Sequence, residues 1–319
     1  MSNRIIVDGL QISNWSRTTL EEVHRGGVHG LNATCAVWDG TVETIQNIGD
    51  WIAFARENKD LVSLVTSAAE IKSAAEKNMI AVILGFQNTS PFDQDYTLVE
   101  VFHRLGIRIA QLTYNIQNYV GGSCYDPTDS GLTRFGQIIV SEMNRVGMLV
   151  DLSHVGNRTS LEAIDASSAP VAITHANPTW FVDTRRNKPD EVINHLVSRG
   201  GVIGACLYPN VIGGNKTTIQ DFCAMIIRLI EQVGIKHVAI GSDLARNWDA
   251  HHVDVLRDGR WRPKQNASWP KWPDWFSSPG DFPRLIDALA SAGLSESDLD
   301  ALFGGNWLNL FETVFGKSS

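Results

Sequence analysis

The chain has 319 residues, 43% hydrophobic and 19% charged, which is the composition of a globular protein with ample material for a core. A net charge of −8 without a Lys/Arg cluster argues against nucleic acid as the main partner, and no apolar stretch approaches the ~18 residues of a membrane span. The start, Met-Ser-Asn-Arg-Ile-Ile-Val-Asp, has no signal-type apolar core, and Cys35, Cys124, Cys206 and Cys223 lack disulfide or thiolate-metal spacing, so a cytoplasmic enzyme with reduced thiols is expected. Apolar runs without polar alternation read as strands buried on both faces. They fall at Arg4–Val7, His29–Val37, Ile80–Phe86, Arg108–Leu112, Met148–Leu152, Pro170–Thr174, Gly201–Cys206 and His237–Gly241. Helix-period segments lie between them at Val42–Arg56, Thr97–Leu105, Gly136–Val146, Ser160–Ala166, Glu191–Ser198 and Thr218–Val233. Leu61–Val65 reads either as a ninth short strand or as the connection into a helix around Ala68–Lys77. Glu296–Phe303 and Asn306–Phe315 read as closing helices, broken at Gly304-Gly305.

Eight strands alternating with helices predict an α/β fold of the (β/α)8 TIM-barrel type with residues 1–319 as one domain, and the strand-end side chains taken up below give it a metal-dependent hydrolase character. A doubly wound open sheet is the runner-up, but no G-x-G-x-x-G follows the first strand and no Walker motif occurs. One segment breaks the rhythm. Residues 248–275 carry five of the ten Trp (Trp248, Trp261, Trp269, Trp272, Trp275) together with Pro263, Pro270 and Pro273. A loop of that length reads as packing or a homo-oligomer contact, or as a lid over the barrel mouth, and the two roles are compatible.

The chemistry sits just past the strands. Met148–Leu152 leads into Ser153-His154, Pro170–Thr174 into His175, and Val238–Gly241 into Ser242-Asp243. In parallel α/β folds these positions reach the carboxyl edge of the sheet, where catalytic groups gather. Neutral imidazole is the common protein ligand for zinc, and a carboxylate beside metal and water can shuttle a proton.

Three stretches taken in order carry a resemblance: Asp151-Leu152-Ser153-His154-Val155, Ile173-Thr174-His175-Ala176-Asn177, and Arg185-Arg186-Asn187-Lys188-Pro189-Asp190. From about Ile5 to Phe315 the chain resembles the membrane (renal) dipeptidase family of the amidohydrolase superfamily, a group of (β/α)8-barrel zinc dipeptidases. The resemblance implies that His154 and His175 bind metal, that Arg186 grips a substrate carboxylate, and that Asp243 handles the proton of the attacking water.

The chain also departs from that pattern. The family's opening Asp-Gly-His-Asn-Asp, whose His-x-Asp pair binds a first metal, is here Asp8-Gly9-Leu10-Gln11-Ile12. The metal-bridging glutamate is replaced by Gln87, a weaker candidate ligand, and a substrate-side histidine by Tyr114, which can still donate a hydrogen bond to an oxyanion. These losses cluster around the first metal, so one zinc ion rather than two is expected. His251 and His252 are candidates for a rebuilt ligand, weighed against a solvated loop pair.

The resulting expectation is a dipeptidase-like enzyme acting on a small molecule that bears an amide and a carboxylate. Asp243 and Tyr114 would be its catalytic groups, with Arg186 and Tyr114 binding substrate. The alternative is an altered or inactive barrel that binds small molecules without hydrolysis. A weaker expectation is that Trp248 or Trp261 holds a cationic or quaternary amine group against its ring.

Overall fold

Strands covered by helices on the outside and by one another on the inside are predominantly apolar. The computed structural model of the chain describes residues 4–250, 252–259 and 267–316, and it forms its sheet from such runs. The first part of the chain gives β1 (Ile6–Gln11), α1 (Arg17–Arg25), β2 (Val28–Ala36), α2 (Thr41–Glu57), β3 (Val62–Leu64), α3 (Ala68–Glu76), β4 (Ile80–Phe86) and α4 (Thr97–Arg104). Then come β5 (Ile107–Gln111), α5 (Arg134–Val146), β6 (Leu149–Asp151), α6 (Asn157–Ala166), β7 (Ala172–Ile173), α7 (Asp190–Ser198), β8 (Val202–Ala205), α8 (Ile219–Val233) and β9 (Val238–Ile240). The chain continues through α9 (His252–Asp258), α10 (Phe282–Ser291), α11 (Glu296–Asp300) and α12 (Asn306–Phe315).

The parallel sheet runs β1-β2-β4-β5-β6-β7-β8-β9. It closes where Asp243 N donates to Leu10 O at 3.0 Å and Ile12 N to Leu244 O at 2.9 Å. This is the (β/α)8 barrel. Leu61–Val65 contributes a true ninth strand: β3 pairs with β4 from Val62↔Ile80 to Leu64↔Val82, and β5 takes over beside β4 from Leu84↔Ile107. β3 therefore fills only the lower part of one inter-strand gap.

Three sequence expectations need correction. The first strand runs to Gln11 rather than ending at Val7, because Asp8 and Gln11 are fully buried and partly satisfy each other: Gln11 Nε2 donates to Asp8 Oδ2 at 2.8 Å. Polar residues that pair internally can continue a buried strand. Gly304-Gly305 does not break the helix either. A π-helical turn at Ala301–Gly305 joins α11 to α12, and a Cβ on Gly304 would lie 2.0 Å from Ile5 O. That glycine permits close approach of the terminal helix to the strand. Finally, the Trp-rich segment is not all loop, since α9 lies within it.

The close approach seats Trp307 in the barrel. Its Nε1 donates to Ile240 O at 2.8 Å, and its ring packs so near β1 and β8 that a Cβ on Gly9 or Gly204 would come within 2.7 or 3.0 Å of it. Around it cluster Val7, Ile83, Ile109, Leu149, Val202 and Ala239. The interior is thus filled apolar below, leaving polar side chains for the carboxyl-end mouth. Trp307→Ala should lower unfolding free energy by about 3–5 kcal/mol, read from urea melts.

Candidate functional site

Gln87 follows β4, Tyr114 β5, His154 β6, His175 β7 and Asp243 β9, so topology alone carries all five to the barrel mouth. There a cavity of about 430 Å³ is lined by Gln87, Tyr114, His154, Arg186, Asp243 and Trp269, among others. Of the six residues expected to form the site, Gln87, Tyr114, His154, Arg186 and Asp243 line that cavity directly and His175 does not. His175 is fully buried with its ring centroid 5.2 Å from that of His154, the planes tilted by 57°.

Hydrogen bonds fix the protonation of both rings. Asn115 Nδ2 donates to Arg257 O at 2.9 Å, which leaves Asn115 Oδ1 to accept from His154 Nδ1 at 2.8 Å. Thr174 Oγ1 donates to Asp151 Oδ2 at 2.7 Å, so its oxygen accepts from His175 Nδ1, also at 2.7 Å. Both imidazoles therefore carry their proton on Nδ1 and present a bare Nε2. In His175 this buried nitrogen has no partner at all. Burial, and secondarily the charge of Arg186, holds both rings well below the usual histidine range, so both are neutral. Tyr114 stacks on His154 with centroids 4.2 Å apart at 24°.

Arg186 is buried and bonds the two histidine strand ends together. Its Nη1 donates to Ser153 O at 2.5 Å and its Nη2 to His175 O at 2.8 Å. Arg185 is exposed and donates to Tyr125 O and Asp126 O. The buried Lys188 bonds Val155 O, and burial pulls its amine down to about 7.

Asp243 takes a left-handed φ of 56°, at the point where the chain leaves the barrel. Burial pushes its carboxyl up to about 7; Arg186 pulls the other way, while Asp8 and Asp151 add to the rise. Asp8 is pushed to about 6 by burial, against hydrogen bonds from Ser242, Gln11 and Leu10.

On the remaining side of the mouth Leu10 and Ile12 are buried and apolar, and Gln87 Nε2 donates to Thr34 Oγ1 at 2.9 Å. His252 does not join the pair. It stacks on Trp248 at 4.0 Å and lines a neighbouring cavity. His251 and Trp261 lie outside the described residues. Trp269 walls the main cavity, whereas Trp275 packs into the core against Phe222, so the Trp-rich segment both covers and packs. Among the described residues no three His, Cys, Asp or Glu side chains group as a metal-ligand set. The donors that fit an ion are the two bare imidazole nitrogens.

Sequence reasoning missed Asn115 and Arg257, and also Tyr208, which lines the same cavity. The left-handed φ of 61° at Asn115 is a conformation asparagine favours, a weak signal in retrospect. Arg257 lies in the Trp-rich segment with no pattern to mark it.

Residues 7–254 match the family model of membrane dipeptidase, peptidase family M19. The chain belongs to this family. Among similar proteins, an uncharacterized dipeptidase, C965.12, of Schizosaccharomyces pombe is 33% identical over 58% of this chain and 46% of its own length. Dipeptidase 3 of Rattus norvegicus is 26% identical over 96% of this chain and 60% of its own. The chain thus spans about half the length of the curated relatives it matches. An amidohydrolase from Pseudomonas aeruginosa is 34% identical with a TM-score of 0.95, covering 99% of this chain and 98% of that one. A metallo peptidase from Rhodobacter sphaeroides, liganded with a phosphinate mimic of the dipeptide L-Ala-D-Ala, shares the fold at TM-score 0.83 and 18% identity, covering 98% and 100%.

Because the Asp243 carboxyl is raised on folding, the native state holds its proton more tightly than the unfolded chain does. Its contribution to stability is complete below about pH 4 and is lost as pH rises to about 7. In chelator-treated protein, Asp243→Asn should flatten this decline and exceed the parent's stability at pH 8 by on the order of 2 kcal/mol, compared by urea melts at pH 4 and pH 8.

Proposed function

We propose that this M19 chain is a metal-dependent hydrolase of small amides with a free carboxylate, dipeptide-like, using one zinc ion on His154 and His175. The observation that carries the reading is the pair of neutral imidazoles with centroids 5.2 Å apart, each locked at Nδ1 with Nε2 bare; His154 lines one cavity with Arg186 and Asp243, and His175 is buried beside His154. Zinc takes neutral imidazole readily, while Leu10, Ile12 and Gln87 offer no carboxylate for a second ion. When bound, the ion would supply Lewis acidity to the amide carbonyl and to the attacking water.

The side chains do the rest. Asp243, raised to about 7, can take the proton of the attacking water and return it to the leaving amine. Burial raises the Tyr114 hydroxyl far above its usual range, which keeps it protonated as a donor to the developing oxyanion. Arg186 spends two donors on Ser153 O and His175 O and keeps others for a substrate carboxylate. Trp269 shields the mouth from water. The reading includes residues 1–319 as one barrel domain. It also includes a cytoplasmic setting, since four buried free thiols suit a reducing compartment. Among the described residues no helix is long and apolar enough to cross a membrane.

The apolar Leu10 and Ile12 favour a second reading, a barrel that binds such molecules without cleaving them. Protein purified without chelator, assayed against dipeptides and N-acyl amino acids, separates the two. We expect close to one transition-metal equivalent per chain, with metal content and turnover lost together in His154→Ala. No metal in the parent, or both properties intact in the variant, overturns the hydrolase; thermal stabilisation by a library member without product selects the binder. With a substrate in hand, kcat/KM should rise with pH to about 7 as Asp243 ionises. Asp243→Asn should cost about 100- to 10,000-fold in kcat/KM, and Arg186→Lys should act mainly through KM.

A further inference from the structure

One cationic side chain of the cavity takes no part in the reaction outlined above. Arg257 lines it together with Arg186, Tyr125 and Tyr208. It comes from α9, the short helix of the Trp-rich segment, so it enters from the cover and not from a strand end. Its main chain is fixed from the barrel side: Asn115 Nδ2 donates to Arg257 O at 2.9 Å and Trp38 Nε1 to Leu256 O at 3.1 Å. The guanidinium is thus carried on a backbone held at two successive residues, and a group held in advance loses less freedom on binding.

The groups beside it are neutral hydroxyls. Burial pushes the Tyr208 hydroxyl up to about 12, with Asp243 adding to the rise and the adjacent Arg257 guanidinium pulling the other way. Burial raises the Tyr125 hydroxyl as well, and there Arg186 and Arg257 both oppose the rise, so one tyrosine lies in the field of both guanidiniums. Among the described residues no carboxylate forms an ion pair with Arg257; Asp258, which also lines the cavity, has an interaction of its own. A guanidinium offers a fork of donors that suits a carboxylate. Arg186 hangs from the barrel, where it is assigned the terminal carboxylate, and that single charge leaves Arg257 unmatched. A second negative charge on the ligand restores the balance.

We propose that Arg257 is a specificity-determining residue, and that the preferred substrate carries a second anionic group, the side-chain carboxylate of an acidic residue, bound from the cover by Arg257 and the Tyr208 hydroxyl. This rests on the reading of the cavity as the place where a dipeptide-like molecule binds.

The test uses the full chain with dipeptides of alanine and glutamate, in both orders, against their glutamine isosteres. Turnover gives kcat/KM, and calorimetry on the Asp243→Asn variant gives affinity without cleavage. The glutamate member should be preferred on the order of tenfold in one of the two orders. Arg257→Gln, which keeps the carbonyl that holds Asn115, should erase that preference. Arg257→Glu should reverse it and favour the corresponding lysine dipeptide. A role limited to supporting the cover would lower all members alike and leave the ratio unchanged. Equal use of glutamate and glutamine members, or a preference that survives Arg257→Gln, overturns the proposal. An equal proportional loss for both members in Arg257→Gln overturns it too, by assigning Arg257 to the carboxylate that Arg186 holds. Failure of every dipeptide to be cleaved, with an Arg257-dependent preference still present by calorimetry, overturns the hydrolase and leaves this inference standing. No binding of any dipeptide at millimolar concentration overturns both.

Discussion

The mouth of this barrel is organised by one buried carboxylate. Asp151 accepts from Ser153 N at 3.0 Å, Ser153 Oγ at 2.6 Å, Thr174 N at 2.9 Å and Thr174 Oγ1 at 2.7 Å. Those donors come from the ends of two adjacent strands, and each strand's next residue is one of the two histidines. Ser153 Oγ in turn accepts from His175 N at 3.0 Å, and Arg186 clamps the carbonyls of Ser153 and His175. A carboxylate removed from water is costly unless every lone pair is engaged, so this geometry is strongly over-determined. The histidines inherit their positions from it.

The barrel seam uses the same device. Asp8 on β1 accepts from Ser242 N at 2.7 Å and from Ser242 Oγ at 2.5 Å, just before the chain turns at Asp243. Two short Asp–Ser pairings, one at the junction of β6 and β7 and one where β1 meets β9, set the two sides of the cavity. The histidine side carries polar groups, whereas the chain leaving β1 presents the apolar Ile12 to the cavity. The chemistry of the cavity is therefore lopsided, with nitrogen donors and the arginine on one wall and aliphatic surface facing them.

Most of this was readable beforehand, for physical reasons that differ by element. Strands buried on both faces advertise themselves as unbroken apolar runs, and Met148–Leu152 or Ile80–Phe86 could hardly be read otherwise. β1 was misjudged because its polar residues bond to each other and to Ser242, partners that are distant in sequence. The glycine pair at 304–305 looked like a helix stop because single-sequence reasoning cannot see the backbone of Ile5 against Gly304. The motifs single out His154, His175, Asp243 and Arg186, and the fold brings these four to the same end of the barrel. Asn115 and Arg257 act through orientation and backbone contact, and neither function leaves a spacing pattern.

Asn115 ties the barrel to its cover. Its amide faces His154 the way it does because its other end is held by the main chain of α9, the short helix in the Trp-rich segment. That helix is pinned at Leu256 by the Trp38 indole. Which nitrogen of His154 stays bare is thus decided outside the barrel, through the α9 carbonyl that orients Asn115. The scaffold places the imidazole, but the canopy chooses its tautomer.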